Sequence, residues 1–223
     1  KDKGWLSIFV ANHDQPRMVS KFGNDTPQFR AVSSKMLSTF VMTMRGTPYN
    51  FNGDEIGMVN IRFDNIDDYN DVDTRNKYEQ IKNAGGDLKA FLENKKQTSR
   101  ENGRTPFQWN NSPNAGFTTG KPWLKVNSNF DTINAEAEEK DPNSVLNYYR
   151  KLIKLRKKEL TLVYGAYTLL DKDNPNVFSY TRELNGKKFL ILLNFTEKEA
   201  AYNIGISTTK SKIILDNYKD TKS

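Results

Sequence analysis

The pattern of apolar and polar positions predicts a β–α–β unit at the start of the chain. Trp5–Val10 is rich in aromatic and β-branched residues, as buried strands are, and it leads directly into the polar triplet Asn12-His13-Asp14. Apolar residues then recur at helical spacing over Pro27–Met44, with Thr26 as the expected N-cap. Gly46-Thr47-Pro48 ends the helix, and Tyr49–Phe51 follows as a second short strand. Strand, helix and strand in this order predict a parallel α/β arrangement.

The middle of the chain, from about residue 60 to residue 141, is polar and irregular. Within it we expect one helix near Val72–Ala84 and a short amphipathic segment at Leu88–Leu92. Loops this long in a compact domain usually serve a function rather than merely connect elements. A strong helix is then predicted over Pro142–Lys158, with Asp141 as its N-cap and Pro142 in the first helical position.

After Glu159 the pattern changes to short runs of β-forming residues at regular spacing. These runs are Val163–Leu170, Val177–Arg182, Lys188–Asn194, Ala200–Ile204 and Lys212–Leu215. Asn185-Gly186 favours a tight hairpin because both residues tolerate positive φ. We therefore predict a small antiparallel β domain over residues 160–223 and assign residues 1–159 to the α/β domain.

Composition and charge exclude some classes of protein. The chain is 36% hydrophobic and 27% charged, which is typical of a globular protein. No apolar run approaches the length of a membrane span, so we expect no membrane partner. The net charge of +7 raises the hypothesis of nucleic-acid binding. However, the lysines occur as separated pairs without a basic block or a recognition motif, so we expect no nucleic-acid partner.

Cysteine and histidine counts limit the possible chemistry. The chain has no cysteine, which excludes disulfides, thiolate catalysis and zinc–sulfur sites. It has a single histidine, so a multi-histidine metal centre is excluded as well. We expect neither a metal nor a cofactor.

The first candidate for chemistry is Asn12–Arg17, which follows the first predicted strand. The carboxyl ends of strands are where parallel α/β folds build their sites. The pair His13 and Asp14 alone is weak evidence, because a histidine near a strand end more often has only a structural role. Five hydrogen-bonding side chains in six positions, however, favour a ligand rich in hydroxyl groups.

Two further segments contain candidate residues. Gly46–Gly57 ends in the pair Asp54-Glu55, for which we favour a structural role in holding nearby loops over catalysis. Ser99–Trp109 contains Arg104, whose planar guanidinium suits carboxylate or sugar oxygens. Aromatic residues nearby are candidates for stacking on sugar faces, although for Trp123 we favour a role in pinning its loop to the domain.

A resemblance to a known family rests on an ordered set of motifs. In chain order they are Asn12–Arg17, Gly46–Gly57, Arg104–Trp109, Asn114–Trp123, Ser144–Tyr149 and Leu162–Tyr167. Together they closely resemble the oligo-1,6-glucosidase, α-glucosidase and sucrose isomerase group of glycoside hydrolase family 13. The resemblance covers nearly the whole chain. It implies an α/β fold: the C-terminal part of a (β/α)₈ TIM barrel, with barrel strands seven and eight, followed by an antiparallel β-sandwich domain.

The resemblance also implies an activity and roles for four residues. It implies an α-glucosidase that hydrolyses short isomalto- and malto-oligosaccharides by a retaining mechanism, with an aspartate nucleophile and a glutamate acid/base. His13 and Asp14 match the family's pair that binds the glucosyl 2- and 3-hydroxyls and stabilises the transition state. Arg104 matches the arginine that holds the non-reducing-end glucose. Asp73 stands where relatives usually carry a glutamate that contacts the acceptor sugar.

Barrel strands four and five, which carry the nucleophile and the acid, have no counterpart in this sequence. We therefore expect both ends of the chain to lie within a longer protein, the N-terminal barrel portion of that protein to be its partner, and the chain alone to be inactive. The alternatives within the family are a sucrose isomerase and a trehalose-6-phosphate hydrolase. The alternative from another class is a non-catalytic relative that serves as a binding or assembly module, against which the retained glucose-pocket residues argue. We expect a cytoplasmic location.

Overall fold

The computed structural model describes residues 4–203 and 211–218. In these ranges the α-helices are α1 (Met18–Phe22), α2 (Arg30–Thr43), α3 (Val72–Asn83), α4 (Leu88–Thr98), α5 (Glu101–Arg104), α6 (Ala135–Lys140), α7 (Val145–Lys158) and α8 (Leu160–Tyr164). The strands are β1 (Ser7–Ile8), β2 (Thr47–Pro48), β3 (Ala166–Leu170), β4 (Val177–Leu184) and β5 (Lys187–Asn194). No helix in the described ranges is long and apolar enough to cross a bilayer.

The parallel unit predicted at the start of the chain is confirmed. Strand β1 pairs in parallel with β2, and helix α2 lies between them in the chain. Ser7 is opposite Thr47, and the amide of Tyr49 donates to the carbonyl of Ile8 at 2.7 Å. The side chains that follow β1 therefore lie at the carboxyl edge of a parallel pair, where such folds place their sites.

The first strand is shorter than the sequence predicts, and the second lies earlier in the chain. Regular pairing is restricted to two residues in each strand, whereas we predicted strands over Trp5–Val10 and Tyr49–Phe51. In the described part of the chain each strand has a neighbour on one side only, so the ladder has little to extend it. Helix α2 also begins later than predicted. The hydroxyl of Thr26 donates to Asn24 instead of capping, and Thr26–Phe29 forms a preceding turn.

Helix α7 ends where predicted but begins three residues late. Its N-cap is Ser144, whose Oγ accepts from the amide of Asn147 at 3.1 Å. The predicted cap, Asp141, instead accepts from the amide of Asn143 at 2.8 Å and forms the turn before the helix. Pro142 therefore lies in that turn rather than in the helix.

The polar middle of the chain contains more helix than its pattern indicates. Helix α3 agrees with the prediction within one residue, and Asp71 caps it by accepting from the amide of Thr74. Helix α4 is capped by Asp87 and continues to Thr98, well past the predicted end at Leu92. The short helices α5 and α6 were not predicted.

The C-terminal part forms a three-stranded antiparallel sheet in the order β3-β4-β5. Asn185 and Gly186 both have positive φ and join β4 to β5 in the predicted tight hairpin. The strand predicted over Val163–Leu170 is wrong at its start, because helix α8 occupies residues up to Tyr164. Residues 200–203 and 211–218 contain no strand, and Ile204 lies outside the described residues.

The sheet and helix α2 share one apolar core. Tyr180, Ile191 and Leu193 of the sheet pack with Met36 and Leu37 of the helix. The Tyr180 hydroxyl also lies 2.6 Å from that of Thr43 at the end of the helix.

Two buried arginines stabilise the same junction through backbone carbonyls. Arg156 donates to the carbonyls of Met42 and Leu162, and Arg182 also donates to Leu162 and to Gly165. Burial, with the neighbouring charge of Arg156, lowers the pKa of Arg182 to about 10. Each guanidinium is satisfied by carbonyl groups, which explains how a cation is tolerated here.

Candidate active site

The turn after β1 presents His13 and Asp14 to solvent. The Asn12 side chain accepts from the amide of Asp14 at 2.8 Å, and the Asn12 carbonyl accepts from the amide of Gln15 at 3.1 Å. This is the local turn that asparagine favours. The side chains of His13 and Asp14 are 72% and 50% exposed. The Asn12 amide oxygen is therefore used to shape the turn, while the next two side chains remain accessible.

Arg17, at the end of the same segment, does not face a ligand. It is 1% exposed, and its guanidinium donates to the carbonyls of Asn52, Asn102 and Thr105. Burial lowers the pKa of Arg17 to about 10, with Asp54 acting in the opposite direction. The interpretation of Asn12–Arg17 as a uniformly ligand-facing run is therefore wrong at its last position.

Asp14 is the centre of a polar cluster at this edge. Arg104 donates from Nη2 to Asp14 Oδ1 at 2.8 Å and from Nε to the carbonyl oxygen of His13 at 2.7 Å. His13 Nε2 lies 3.1 Å from the other carboxylate oxygen of Asp14. The structure thus brings together three of the four residues predicted for the site, although two of them are 90 positions apart.

Helix α5 packs closely enough against the turn to hold Arg104 in place. A Cβ added to Gly103 would lie 2.6 Å from the carbonyl oxygen of Gln15, so a larger side chain would force the two backbones apart. Asn102, one position earlier, uses its carbonyl to bind Arg17. The helix is therefore fixed to the turn on both sides of Gly103.

Arg100 is a member of the cluster that the sequence interpretation missed. It donates from Nη1 to Asp14 Oδ1 at 3.4 Å and from Nε to Asp71 Oδ1 at 3.1 Å. Arginines four positions apart lie on one face of a helical turn, so Arg100 and Arg104 approach the same carboxylate. The four-residue spacing of the two arginines is the local signal in the sequence for Arg100. The acidic partner of Arg100, Asp71, lies 29 positions away and cannot be recognised from that spacing.

Asp71 is held in its charged form by two partners. Burial opposes the charge, but hydrogen bonds from Thr74 and Arg100 outweigh burial and lower the pKa of Asp71. Its side chain is 7% exposed. Asp71 and, to a smaller extent, Asp14 raise the pKa of Arg100.

Asp73, the fourth predicted residue, is not part of this cluster. It lies in the first turn of α3 with its side chain exposed. Within the described residues it makes no hydrogen bond or ion pair with His13, Asp14 or Arg104.

Asp54 and Glu55 occupy a short 3₁₀ turn after β2, from Asp54 to Ile56. Glu55 accepts from the amide of Gly53 at 2.8 Å, a hydrogen bond within its own loop. Asp54 is 5% exposed, and burial raises its pKa to about 7, although the charge of Arg17 acts against this shift.

Three of the four aromatic residues between positions 107 and 123 are exposed, and the fourth, Phe107, is buried. Trp109 packs edge-on against Phe107, with ring centroids 4.6 Å apart, and is still 53% exposed. Trp123 is 63% exposed, so the pinning role favoured for it is wrong. Its backbone carbonyl, which accepts from Asn70 at 2.8 Å, makes the contact instead. In the described ranges, no three residues among histidines, aspartates and glutamates are grouped so as to hold a metal ion.

Comparisons with known proteins show the family of the chain. The model of the family described as "Alpha amylase, catalytic domain" matches residues 1–165. The chain is 46% identical over 220 residues to an oligo-1,6-glucosidase of Parageobacillus thermoglucosidasius. This match covers 97% of the present chain and 39% of the relative. The chain is also 43% identical over 221 residues to a trehalose-6-phosphate hydrolase of Bacillus subtilis, and this match covers 96% of the chain and 39% of the relative.

Solved structures are similar as well. An isomaltulose synthase variant of Erwinia rhapontici NX5, in complex with its natural substrate sucrose, superposes with a TM-score of 0.85 at 47% identity. The match covers 88% of this chain and 35% of that one. The chain thus spans about 39% of the length of the curated relatives that it matches. On the strength of this family match and the α/β architecture, the chain belongs to the α-amylase family, glycoside hydrolase family 13.

Proposed function

We propose that this chain is part of an α-glucosidase that hydrolyses short isomalto- and malto-oligosaccharides with retention of configuration. The observation that carries the proposal is the cluster of His13, Asp14 and Arg104 at the carboxyl edge of β1 and β2. Its support from comparison is the 46% identity to an oligo-1,6-glucosidase. Residues 1–159 would supply the end of a (β/α)₈ barrel, and residues 160–223 a C-terminal β-sandwich domain.

Each of the four residues predicted from the sequence has a role in this proposal. Asp14 and His13 bind the glucosyl 2- and 3-hydroxyls, and these hydrogen bonds strengthen as positive charge develops on the sugar ring. Arg104 binds the non-reducing-end glucose and orients Asp14. Asp73, exposed on α3, contacts the acceptor sugar. The nucleophile and the acid/base come from the N-terminal barrel portion, and a retaining mechanism built on these two carboxyl groups needs no cofactor.

The exposed apolar surface around β1 and β2 supports the need for that portion. Trp5, Leu6, Phe9 and Tyr49 are each about half or more exposed. Two strands cannot close a barrel, and further strands on either side would bury these side chains.

A sucrose isomerase or a trehalose-6-phosphate hydrolase is the second candidate. The 47% identity to an isomaltulose synthase and the 43% identity to a trehalose-6-phosphate hydrolase are comparable with the 46% identity to an oligo-1,6-glucosidase. A side-by-side assay on isomaltose, maltose, sucrose and trehalose-6-phosphate separates the candidates by the ratio of their kcat/KM values.

The decisive experiment uses the whole protein that contains this chain. We expect it to release glucose from isomaltose, whereas the 223-residue chain alone releases none. With p-nitrophenyl α-glucoside, whose only sugar is the transferred glucosyl unit, proton NMR should show the α-anomer of glucose as the first product. Initial release of the β-anomer would overturn the retaining mechanism. No hydrolysis of any of the four sugars by the folded whole protein would favour the non-catalytic alternative and overturn the proposal.

A further inference from the structure

Three arginine side chains, those of Arg45, Arg156 and Arg182, meet where the end of α2 joins the C-terminal sheet. Arg156 and Arg182 are 7% and 0% exposed, and backbone carbonyl groups accept from both. Burial and, to a smaller extent, the charges of Arg156 and Arg45 lower the pKa of Arg182 to about 10. None of the three forms a salt bridge within the described ranges; the arginines that do are Arg30, Arg62, Arg100, Arg104 and Arg150. In this part of the chain the junction therefore carries three positive charges without a paired carboxylate.

Arg45 differs from the other two arginines because one of its buried nitrogen atoms has no acceptor. Its Nε is shielded from solvent and makes no hydrogen bond with any residue that the structure describes. A buried donor without an acceptor is destabilising, and a buried cation without a counter-charge is more so. Folded proteins satisfy nearly all such groups, so a partner for Arg45 is expected from outside the described residues.

The surface beside Arg45 lies at the amino end of β1 and β2, opposite to the edge that carries the polar cluster. Arg45 lies two residues before Thr47, the first residue of β2, whose hydroxyl accepts from Nε1 of Trp5 at 2.8 Å. Trp5 also packs against Tyr164, with ring centroids 5.6 Å apart, yet the two residues remain 47% and 56% exposed. Strand β2 is open on one side here, because β1 is its single neighbour in the described part of the chain. The unpartnered cation thus lies next to an open strand edge and an exposed aromatic pair.

We propose that an aspartate or glutamate of the N-terminal barrel portion binds Arg45 at the amino end of β2 and so joins the two portions of the barrel. This inference rests on the proposed function, in which that portion supplies the remaining barrel strands. A further parallel strand at the open edge of β2 would begin at the same end as Arg45. A carboxylate is the group that fits, because it offers acceptors to the planar fork of the guanidinium and offsets the charge of the three arginines.

The sign of a stability change tests the proposal in the whole protein. Arg45→Met keeps much of the apolar stem and removes the charge. With the partner present, this variant leaves a buried carboxylate unpaired, so we expect Tm to fall by about 3 °C or more. Without a partner, the variant only removes an unsatisfied donor and a repulsive charge, so Tm should stay the same or rise. Arg150→Met, at the exposed ion pair with Glu139, is the control and should shift Tm by less than about 1 °C.

Activity and a crystal structure of the whole protein complete the test. The kcat of Arg45→Met on isomaltose, measured well below its Tm, should stay within about twofold of wild type, because Arg45 lies at the end of the strands away from the site. The crystal structure should show a carboxylate oxygen from the N-terminal portion within about 4 Å of the Arg45 guanidinium. Changing that carboxylate to its amide should lower Tm in the wild-type background and much less in the Arg45→Met background.

Two outcomes would overturn the inference. One is a Tm for Arg45→Met equal to or above that of wild type; the other is a crystal structure in which Arg45 binds anything other than a carboxylate of the N-terminal portion. Inactivity of the folded whole protein on isomaltose is a different result. It contradicts the proposed function but leaves the ion pair in place, because a non-catalytic relative with the same barrel needs the same junction.

Discussion

The Nε of Arg17 donates to the backbone carbonyl of Asn102 at 3.0 Å, although 85 positions separate the two residues in the sequence. The same guanidinium binds the carbonyls of Asn52, after β2, and Thr105, after α5. One buried side chain therefore joins the turn after β1 to two other loops. The position of Arg104 in the cluster depends on these hydrogen bonds of Arg17, even though Arg17 itself has no access to a ligand.

Replacing Arg17 is expected to destabilise the protein strongly. Arg17→Met keeps much of the apolar volume but leaves two buried carbonyl groups, of Asn102 and Thr105, and the partly buried one of Asn52 without this donor. Each unsatisfied group costs about 1–3 kcal/mol, so the free energy of unfolding should fall by roughly 3 kcal/mol or more. Urea unfolding of the whole protein measures this change. Arg150→Met, at an exposed ion pair with Glu139, is the matched control, and an Arg17→Met effect below about 0.5 kcal/mol would contradict the prediction.

Helix α7 offers a test of which residue caps it. Ser144 Oγ accepts from the amide of Asn147, so Ser144→Ala should lower the free energy of unfolding by about 1 kcal/mol. Asp141→Ala removes the cap predicted from the sequence but leaves this hydrogen bond intact. We expect Asp141→Ala to lower the free energy of unfolding by less than Ser144→Ala does, as measured by thermal unfolding. A larger loss for Asp141→Ala than for Ser144→Ala would show that the helix begins earlier than described.

The sequence predicted the elements whose signals are local. Helical spacing identified α2, α3 and α7, and the positive-φ pair Asn185-Gly186 identified the hairpin between β4 and β5. The starts of α2 and α7 were each predicted three residues early, because side-chain hydrogen bonds in the preceding turns decide where these helices begin. Thr26 donates to Asn24 and Asp141 accepts from Asn143, and neither contact leaves a distinct pattern in the sequence.

Contacts between distant segments could not be predicted in the same way. Three of the site residues came together as the resemblance implied, but Arg100 and Asp71 were missed because they pair across 29 positions. Arg17 was counted among the hydrogen-bonding side chains of Asn12–Arg17 that favour a hydroxyl-rich ligand. Its burial depends on the backbone carbonyls of Asn52, Asn102 and Thr105, and carbonyl groups have no signature in a sequence.

Asp54 should make stability depend on pH in a direction that is unusual for a carboxylate. Burial raises the pKa of Asp54 to about 7 in the folded protein, from 3.8. Between about pH 4 and pH 7 the unfolded chain has lost this proton while the folded protein keeps it, so stability falls as the pH rises. Below pH 4 the contribution is fully present, and above pH 7 the loss is complete.

The variant Asp54→Asn isolates this contribution because its side chain does not titrate. The difference in Tm between variant and wild type should move in favour of the variant as the pH rises from 4 to 7, and it should then level off. Asp173→Asn, at an exposed position, is the control, and its difference in Tm from wild type should stay small across the same pH range. A difference for Asp54→Asn that is constant with pH would show that the Asp54 carboxyl has the same pKa folded and unfolded.

Asp14 carries the most direct prediction for activity. Asp14→Asn keeps the shape of the side chain and one oxygen, but it removes the charge that stabilises developing positive charge on the sugar ring. In the whole protein we expect kcat on isomaltose to fall at least about 100-fold, as for removal of other groups that stabilise a transition state. Asp67→Asn, an exposed aspartate outside the cluster, is the control and should keep kcat. If Asp14→Asn kept kcat within threefold of wild type, Asp14 would only anchor Arg104, and its proposed role in the transition state would be wrong.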